Sequence, residues 1–162
     1  FKGRFSNQLV SQGRPYDVVE AVLATGLTNL VQAIRKIEAV EATKGDPDFE
    51  PLAVAFKRVS NILKDFRDGC VDPVLFEHEA EGALHNAYVE IRKKAEALIE
   101  AGNYREALLE MVRLRKPVDA FFEAVLVMAR DEKVKFNRLS LLEAVAKLFH
   151  RVADFSKIVT EK

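Results

Sequence analysis

Hydrophobic residues recur every three or four positions along almost the whole chain, and this spacing predicts α-helices. The clearest stripe falls on residues 48–68, where one helical face would carry Leu52, Phe56, Val59, Leu63 and Phe66. No segment shows the strict alternation of apolar and polar residues that indicates a strand. The sequence therefore predicts an all-α protein, a helical bundle of about five to seven helices.

Glycine, proline and capping residues divide this pattern into segments. Gly26 marks a break, and Gly102 is expected to follow the last turn of a long helix. Asn103 with Glu106 has the spacing of an N-cap and its capping-box partner. The predicted helices span residues 1–11 in part, 16–24, 28–42, 48–68, 73–101, 103–114, 117–128 and 134–159.

Residues 118–128 form an almost wholly apolar run in which only Asp119 and Glu123 are charged. A helix that is apolar on nearly all sides is expected to be buried in the middle of a bundle. Burying one phenylalanine stabilises a fold by roughly 1.5–3 kcal/mol. We therefore predict a central helix anchored by Phe121 and Phe122, rather than a ligand pocket.

Arg138 lies on the apolar face predicted for the last helix, which carries Val134, Leu141, Leu142, Val145, Leu148, Phe149, Val152 and Phe155. A buried arginine requires a partner, because an unpaired charge in an apolar interior is very unfavourable. Asp119 and Glu123 are the expected partners. The alternative is that Arg138 extends to water along its aliphatic stem.

Composition excludes several classes of protein. Lys and Arg total 25 and so do Asp and Glu, so no net field favours nucleic acid or anionic membranes. The longest apolar run, residues 124–129, is too short to span a bilayer. A single cysteine, Cys70, excludes an internal disulfide and is compatible with a reducing cytoplasm. No signal peptide is visible.

The length of 162 residues is appropriate for one domain, which we expect to span residues 1–162. Because the first residue is Phe1 rather than methionine, we expect a fragment of a longer chain.

No arrangement of residues indicates catalysis. His78 and His85 are seven positions apart, which is not the spacing of a zinc-binding HExxH helix. No glycine-rich phosphate loop and no nucleophile motif is present in the sequence. We expect this piece to have no catalytic residues and no metal site of its own.

Local positive charge is the remaining signal. The outer face of the helix predicted for residues 48–68 carries Lys57, Arg58, Asn61 and Lys64, with acidic residues among them. A second basic cluster comprises Arg113, Arg115 and Lys116. Residues 113–162 contain 11 basic and 7 acidic side chains, whereas residues 71–112 contain 4 and 9. Such clusters can bind phosphates, although a solvated charged face is the simpler interpretation.

Five segments carry a family resemblance. In chain order they read RPYDVVEAVLA, LAVAFKRVSNI, LRKPVDAFFEAVLVMARD, NRLSLLEAVAKLF and RVADFSKI. Together they resemble the C-terminal part of the beta subunit of the tetrameric, bacterial type of glycine–tRNA ligase, which belongs to the helical anticodon-binding class named DALR. The resemblance covers essentially the whole chain. One departure is Lys135-Phe136, where that family more often has an arginine and a small residue.

The resemblance implies a helical bundle of the anticodon-binding type in a cytoplasmic aminoacyl-tRNA synthetase. Glycine activation, with its ATP and magnesium, would reside on the alpha subunit. This chain would use no cofactor and would bind the anticodon region of tRNA-Gly, together with the alpha subunit and the rest of the beta chain. The resemblance assigns no base-reading residue.

The residues themselves suggest how RNA would be held. Phosphate contacts position RNA and base contacts specify it. Lys57, Arg58, Lys64, Arg113, Arg115 and Lys116 are the expected phosphate contacts. The amide of Asn61 can donate to and accept from a base edge, and Tyr16, Tyr88 and Tyr104 are candidate stacking partners that could equally be structural.

Two other interpretations remain open on the sequence. One is a DALR-type domain of another aminoacyl-tRNA synthetase, such as the arginine enzyme, which the residues after Phe155 disfavour. The other is a helical protein-interaction module that binds no RNA.

Overall fold

A computed structural model describes residues 4, 7–8, 11–24, 30–64, 66, 69–125 and 127–158. No strand occurs among them, so the all-α class is confirmed. The α-helices are α1 (Tyr16–Leu23), α2 (Leu30–Thr43), α3 (Phe49–Ile62), α4 (Glu79–Glu100), α5 (Tyr104–Met111), α6 (Arg115–Ala124) and α7 (Glu132–His150). Short 3-10 helices span Pro73–Leu75, Val112–Leu114 and Phe155–Lys157. The predicted features at residues 1–11 (in large part) and at Gly26 lie outside the described residues.

The longest helix, α4, is 22 residues long and packs against α5, α6 and α7. Helix α2 packs on α5, and α1 packs on α2 and on the final 3-10 helix. Helix α3 packs on α6, α7 and the same 3-10 helix. None of the described helices is long and apolar enough to cross a membrane.

A cluster of aromatic rings joins α3 to the end of the chain. The ring of Phe56 lies 4.5 Å from that of Phe149 and 6.0 Å from that of Phe155, measured between centroids. Phe149 and Phe155 are 5.1 Å apart, and Phe49 is 5.4 Å from Phe155. All four side chains are buried. Because tilted and edge-on ring pairs add to the gain from burial, this cluster is a main anchor of the core.

The long predicted helix at residues 73–101 begins later than expected. Pro73–Leu75 is a 3-10 turn, Phe76 is extended, and α4 begins only at Glu79. The ring Nδ1 of His78 accepts a 3.0 Å hydrogen bond from the N–H of Ala80. A histidine that could have suggested a ligand is therefore the N-cap of α4.

The other end of α4 follows the prediction, but the next helix start does not. Gly102 adopts a positive φ of 83°, the left-handed conformation that glycine tolerates best. Its N–H donates to the carbonyl of Ile99 at 3.0 Å. Asn103 occupies the N-cap position of α5, but its side chain accepts no capping hydrogen bond. The capping box predicted with Glu106 is therefore wrong.

The prediction of a buried central helix over residues 118–128 is also wrong. Helix α6 ends at Ala124, and Val125 is extended, with φ −121° and ψ 132°. Within α6 only Val118 and Phe121 are buried, while Glu123 is exposed. After the helix, Val125 and Val127 are buried on a spacing of two, and Met128 is 55% exposed. The apolar run thus buries its side chains in two conformations, which a single helical wheel cannot represent.

Two further helix ends differ from the sequence prediction. Helix α3 ends at Ile62 rather than near residue 68, and α7 ends at His150 rather than near residue 159. After α7 the chain turns, and the N–H of Asp154 donates to the carbonyl of Ala21 at 2.8 Å, which ties it to α1. The apolar face predicted for the last helix is buried as expected, although its last two members lie beyond α7.

Arg138 is buried and paired, but not with the predicted partners. Its Nη2 lies 2.7 Å from Oε1 of Glu81, and its Nε donates to the same oxygen at 2.8 Å. Glu77 is 3.5 Å from Nη2. Asp119 instead lies 2.9 Å from the Nε of Arg115 on its own helix. The expected pairing of Arg138 with α6 is therefore wrong, because α4 rather than α6 presents a buried carboxylate to α7.

Side chains of α7 also hold the chain just before the first 3-10 helix. The N–H of Gly69 donates to Oε1 of Glu143 at 2.8 Å, and that of Cys70 donates to Oγ of Ser140 at 3.0 Å. Asp72 exchanges two hydrogen bonds with the amide of Asn137, at 2.6 and 3.0 Å. These contacts fix the backbone of residues 69–72 along the first half of α7.

Candidate nucleic-acid interface

Four of the candidate RNA-contacting residues lie on or just after α3. Lys57 is half-buried, whereas Arg58, Asn61 and Lys64 are exposed. Asn61 lies three residues after Arg58 and four after Lys57, so its side chain neighbours both on one side of the helix. Lys64 lies beyond the last helical residue, Ile62, in the following turn. The predicted face therefore exists over little more than one helical turn, and Lys64 lies beyond it in the turn that follows α3.

Arg58 is stacked on an aromatic ring of the neighbouring helix. The centre of its guanidinium group lies 4.3 Å from the ring centroid of Phe122 on α6, a cation–π contact. The sequence predicted Phe122 as a fully buried anchor. The structure instead shows it half-buried beneath Arg58, while its neighbour Phe121 is buried. Phe122 thus supports a surface cation as well as the core.

The second cluster lies at the junction of α5 and α6, and its members differ in availability. Nη1 of Arg113 is 3.0 Å from Oε2 of Glu110, an exposed pair one turn apart. Arg115 lies between two carboxylates, since its Nη1 is 3.4 Å from Asp48 and its Nε is 2.9 Å from Asp119. Lys116 is exposed. Arg115 therefore ties α6 to the start of α3, while Arg113 and Lys116 face outward.

A crevice of about 420 Å³ lies beside this second cluster. Lys116 and Arg113 line it on the basic side, and Asp48 and Glu90 line it with carboxylates. The mixed charge of its walls makes it a less suitable site for an anion than the outer surface of the junction.

The contacts between α3 and α6 show how the two clusters are arranged. Asp48, just before α3, meets Arg115 at the start of α6, and Arg58 meets Phe122 nearly three turns further along α3 and about two turns further along α6. The two helices therefore run side by side in the same direction. With 14 residues, α3 is about 21 Å long. Arg58 thus lies at the α3–α6 seam, the line along which these two helices pack. Lys64 lies at the opposite end of α3 from Arg115.

The three tyrosines are not equivalent candidates for stacking. Tyr104 is buried, with Nζ of Lys36 lying 5.5 Å from its ring centroid. Burial lowers the pKa of Lys36, and the charge of Arg151 lowers it further. Tyr88 is half-buried beside Arg92, and their hydrogen bond raises the pKa of that arginine. Only Tyr16, which is 64% exposed, is open to a base.

Comparison with protein families decides the classification. Residues 52–159 match the model of the DALR anticodon binding domain. This range runs from α3 to the end of the described chain and includes both basic clusters.

The chain belongs to the DALR anticodon binding domain family.

Known proteins similar to this DALR chain are glycine–tRNA ligase beta subunits. The beta subunit of Syntrophus aciditrophicus is 54% identical over 99% of this chain. Those of Citrifermentans bemidjiense and Geobacter metallireducens are 48% and 47% identical over 98% of it. The chain spans 23% of the length of each of these relatives. The resemblance inferred from the five sequence segments is therefore confirmed.

The structure gives a role to three residues that sequence reasoning used only for recognition. In NRLSLLE, Asn137, Ser140 and Glu143 are spaced by three residues and hold the backbone of residues 69–72. Arg138 forms the buried ion pair with α4. Polar residues at helical spacing within a buried segment were a visible signal for such a role. Their partners, however, are backbone groups about 70 positions away in the chain.

Sequence reasoning missed a third group of basic residues. Lys147 and His150 lie in the last turn of α7, and Arg151 follows them. The spacing of three and four residues from Lys147 to His150 and Arg151 was a visible signal for one basic face. In the part of the chain that the structure describes, no group of three or more His, Cys, Asp or Glu side chains could hold a metal ion.

Proposed function

We propose that this chain is the module of a glycine–tRNA ligase beta subunit that binds the anticodon region of tRNA-Gly and so supports its glycylation. The match of residues 52–159 to the DALR anticodon binding domain carries this proposal. The names of the relatives supply the amino acid and the subunit.

Five cations of the two basic clusters are assigned to the RNA phosphates. Lys57 and Arg58 lie on α3 and Lys64 lies just after it, while Arg113 and Lys116 lie at the α5–α6 junction. Each contact with a phosphate displaces a condensed counterion, so affinity should fall as salt rises. Arg115 completes the sequence-predicted set, but its two carboxylate partners indicate that it orients α6 rather than contacting RNA.

Asn61 is assigned to a base edge. It is exposed one helical turn after Arg58 and Lys57, so a base could reach its amide while flanking phosphates meet the cations. A side-chain amide both donates and accepts, which suits the edges of bases in single-stranded loops.

The remaining assignments concern the whole enzyme. In our proposal the chemistry takes place outside this chain, on an alpha subunit that uses ATP and magnesium, in the cytoplasm. The chain itself contributes no catalytic residue and binds no cofactor. Its partners are tRNA-Gly, the alpha subunit and the rest of the beta chain.

Titration of an anticodon arm of tRNA-Gly into the protein at several salt concentrations tests the proposal. We expect the affinity to fall steadily with salt. The charge reversals Lys64→Glu and Lys116→Glu should each weaken binding. Each should also make the slope of log affinity against log salt concentration shallower by the contribution of about one phosphate contact.

Arg105→Glu is the matched control for these reversals. Arg105 is exposed and lies at the crevice between α2 and α5, on neither basic cluster. Its reversal changes the net charge equally but should leave affinity nearly unchanged. Binding that is indifferent to salt and to both cluster reversals, Lys64→Glu and Lys116→Glu, would contradict an RNA-binding role and favour a protein-interaction module.

A further inference from the structure

A groove lies between the C-terminal ends of α3 and α7, away from the α3–α6 seam. We call it the α3–α7 groove, and it is lined by Leu63, Phe66, Glu143, Ala146, Lys147, His150 and Arg151. Its volume is about 610 Å³, within the range of roughly 300–1,000 Å³ that is typical of small-molecule sites. A second hollow adjoins it, sharing Leu63, Ala146 and His150 and adding Ser60 and Lys64.

The floor of the groove is apolar and partly aromatic. Leu63, Phe66 and Ala146 are all half-buried, so each keeps part of its surface open to the groove. The ring of Phe66 lies 5.4 Å from that of Phe136, which is 43% exposed. Phe136 does not line the groove, so Phe66 is the aromatic side chain of its floor against which a planar group can stack.

The rim of the groove is basic. Lys64, Lys147, His150 and Arg151 are all exposed around the two joined hollows. The Lys147 side chain is 69% exposed, and its Nζ is 3.6 Å from Oε1 of Glu143.

The carboxylates near this rim already have partners. Oε1 of Glu143 accepts the 2.8 Å hydrogen bond from Gly69 as well as facing Lys147. Glu96 lies 3.5 Å from Nη1 of Arg151 and 3.4 Å from Nε of Arg92. Asp154 lines the adjoining hollow. Among the described side chains, Glu143 is buried and Glu96 and Asp154 are half-buried, whereas the rim cations are exposed, so the exposed charge around the groove is mainly positive.

We propose that the α3–α7 groove binds one unstacked nucleotide of a single-stranded RNA loop. The base would lie on the floor formed by Leu63, Phe66 and Ala146. The phosphates on either side of it would meet Lys64 and Lys147. This assignment rests on the proposed RNA-binding function and adds to it a separate site, which depends on shape and stacking as well as charge.

The chemistry of the groove favours a nucleotide over other occupants. A splayed base presents a flat apolar face between two negative charges, which matches an aromatic floor between cations. A partner helix would need an extended apolar channel, whereas this groove has the volume of one small molecule. Lys64 lies between the groove and the other cations of α3, Lys57 and Arg58, so one RNA strand can contact both the groove and these cations.

The test uses the full-length protein that contains this chain and the anticodon arm of tRNA-Gly. The arm carries 2-aminopurine at one loop position at a time, because the fluorescence of this base reports its stacking. We expect one loop position to change its fluorescence on binding. Ala146→Phe, which fills the groove without changing charge, should abolish that change and weaken binding roughly 5- to 150-fold, the range for one stacked base.

Lys147→Glu tests the rim independently of the floor. This variant should weaken binding of the arm. It should also make the slope of log affinity against log salt concentration shallower by the contribution of about one phosphate contact. If Ala146→Phe fails to fold, as judged by circular dichroism and thermal unfolding, Phe66→Ser replaces it as the floor variant.

Two matched controls accompany these variants. Ala97→Phe places the same bulk on an exposed site of α4, and Lys133→Glu reverses an exposed lysine in the first turn of the same helix α7. Both should bind the arm as the unsubstituted protein does.

The outcomes separate this inference from the proposed function. If the unsubstituted protein binds the arm and the folded groove variants bind equally well, the groove assignment is overturned and the proposed function stands. If the unsubstituted protein does not bind the arm, both are overturned. If the groove variants bind RNA normally but release another subunit, the groove is a protein contact and the assignment is again overturned.

Discussion

At the scale of single residues, the buried charge of Arg138 is compensated from α4. Arg138 is 8% exposed and Glu81 is fully buried, with two short contacts between them. A buried ion pair is weak evidence for net stabilisation, but removing one partner leaves an unpaired charge in the interior. The pair therefore constrains which surfaces of α4 and α7 can face each other.

Substitution of either partner alone should be strongly destabilising. We expect Glu81→Leu and Arg138→Met each to lower the free energy of unfolding by about 3–5 kcal/mol. The double variant should lose much less than the sum, because no unpaired charge remains. Urea denaturation of the three variants measures this coupling.

Asp119→Ala is the control for this double-mutant cycle of Glu81 and Arg138, because the sequence predicted Asp119 as a partner of Arg138. Its effect should add to that of Arg138→Met without coupling. A coupling between Asp119 and Arg138 that exceeds the one between Glu81 and Arg138 would contradict the observed pairing.

Gly69 occupies a position where the backbone approaches α7 too closely for a side chain. A Cβ atom there would lie 2.6 Å from Oγ and 2.8 Å from Cα of Ser140. We expect Gly69→Ala to destabilise the fold by about 1–3 kcal/mol, the usual cost of overpacking. Thermal unfolding measures the effect. Gly45→Ala is the control, because nothing lies within 4 Å of its Cβ, and it should change stability by less than about 1 kcal/mol.

At the scale of elements, the helix starts differ in how they are capped. Asp131 precedes α7 and its Oδ1 accepts hydrogen bonds from the N–H groups of Lys133 and Val134, at 2.9 and 3.2 Å. Asn103 precedes α5 without any such bond. Residue type alone predicted a cap at Asn103, but side-chain geometry decides whether the cap forms.

Alanine substitution should distinguish the two positions. Asp131→Ala should lower the free energy of unfolding by about 1 kcal/mol, because two N–H groups of α7 lose their acceptor. Asn103→Ala should cost no more than a few tenths of that value, since no capping bond is lost. Equal losses in chemical denaturation would contradict this account of the caps.

At the scale of the whole molecule, the aromatic cluster of Phe49, Phe56, Phe149 and Phe155 packs the end of the chain against α3 and α7. Phe149 contacts both Phe56 of α3 and Phe155 of the final 3-10 helix. It therefore joins the middle of the chain to its end, and its loss leaves a cavity shared by several elements.

Phe149→Ala should be among the most damaging single changes outside the ion pair. We expect a loss of about 3–5 kcal/mol in the free energy of unfolding, from lost burial and from the cavity. Val74→Ala, at a side chain that is 88% exposed, should stay within about 0.5 kcal/mol of the unsubstituted chain. A melting temperature that Phe149→Ala leaves unchanged would show that the cluster does not hold the bundle together.

The sequence by itself determined the helical class, most of the helices and the buried face of α7, because these follow from residue spacing along one helix. It also placed Lys57 and Arg58 on one helix, and Arg113 and Lys116 at the turn before the next apolar segment. Tertiary structure alone decided the partner of Arg138, the end of α6 at Ala124 within the predicted helix of residues 117–128, and the joining of Leu63, Phe66 and Lys147 in one groove. The physical reason is that these features depend on contacts between residues distant in the chain, and periodicity within one segment carries no information about which surface another segment presents.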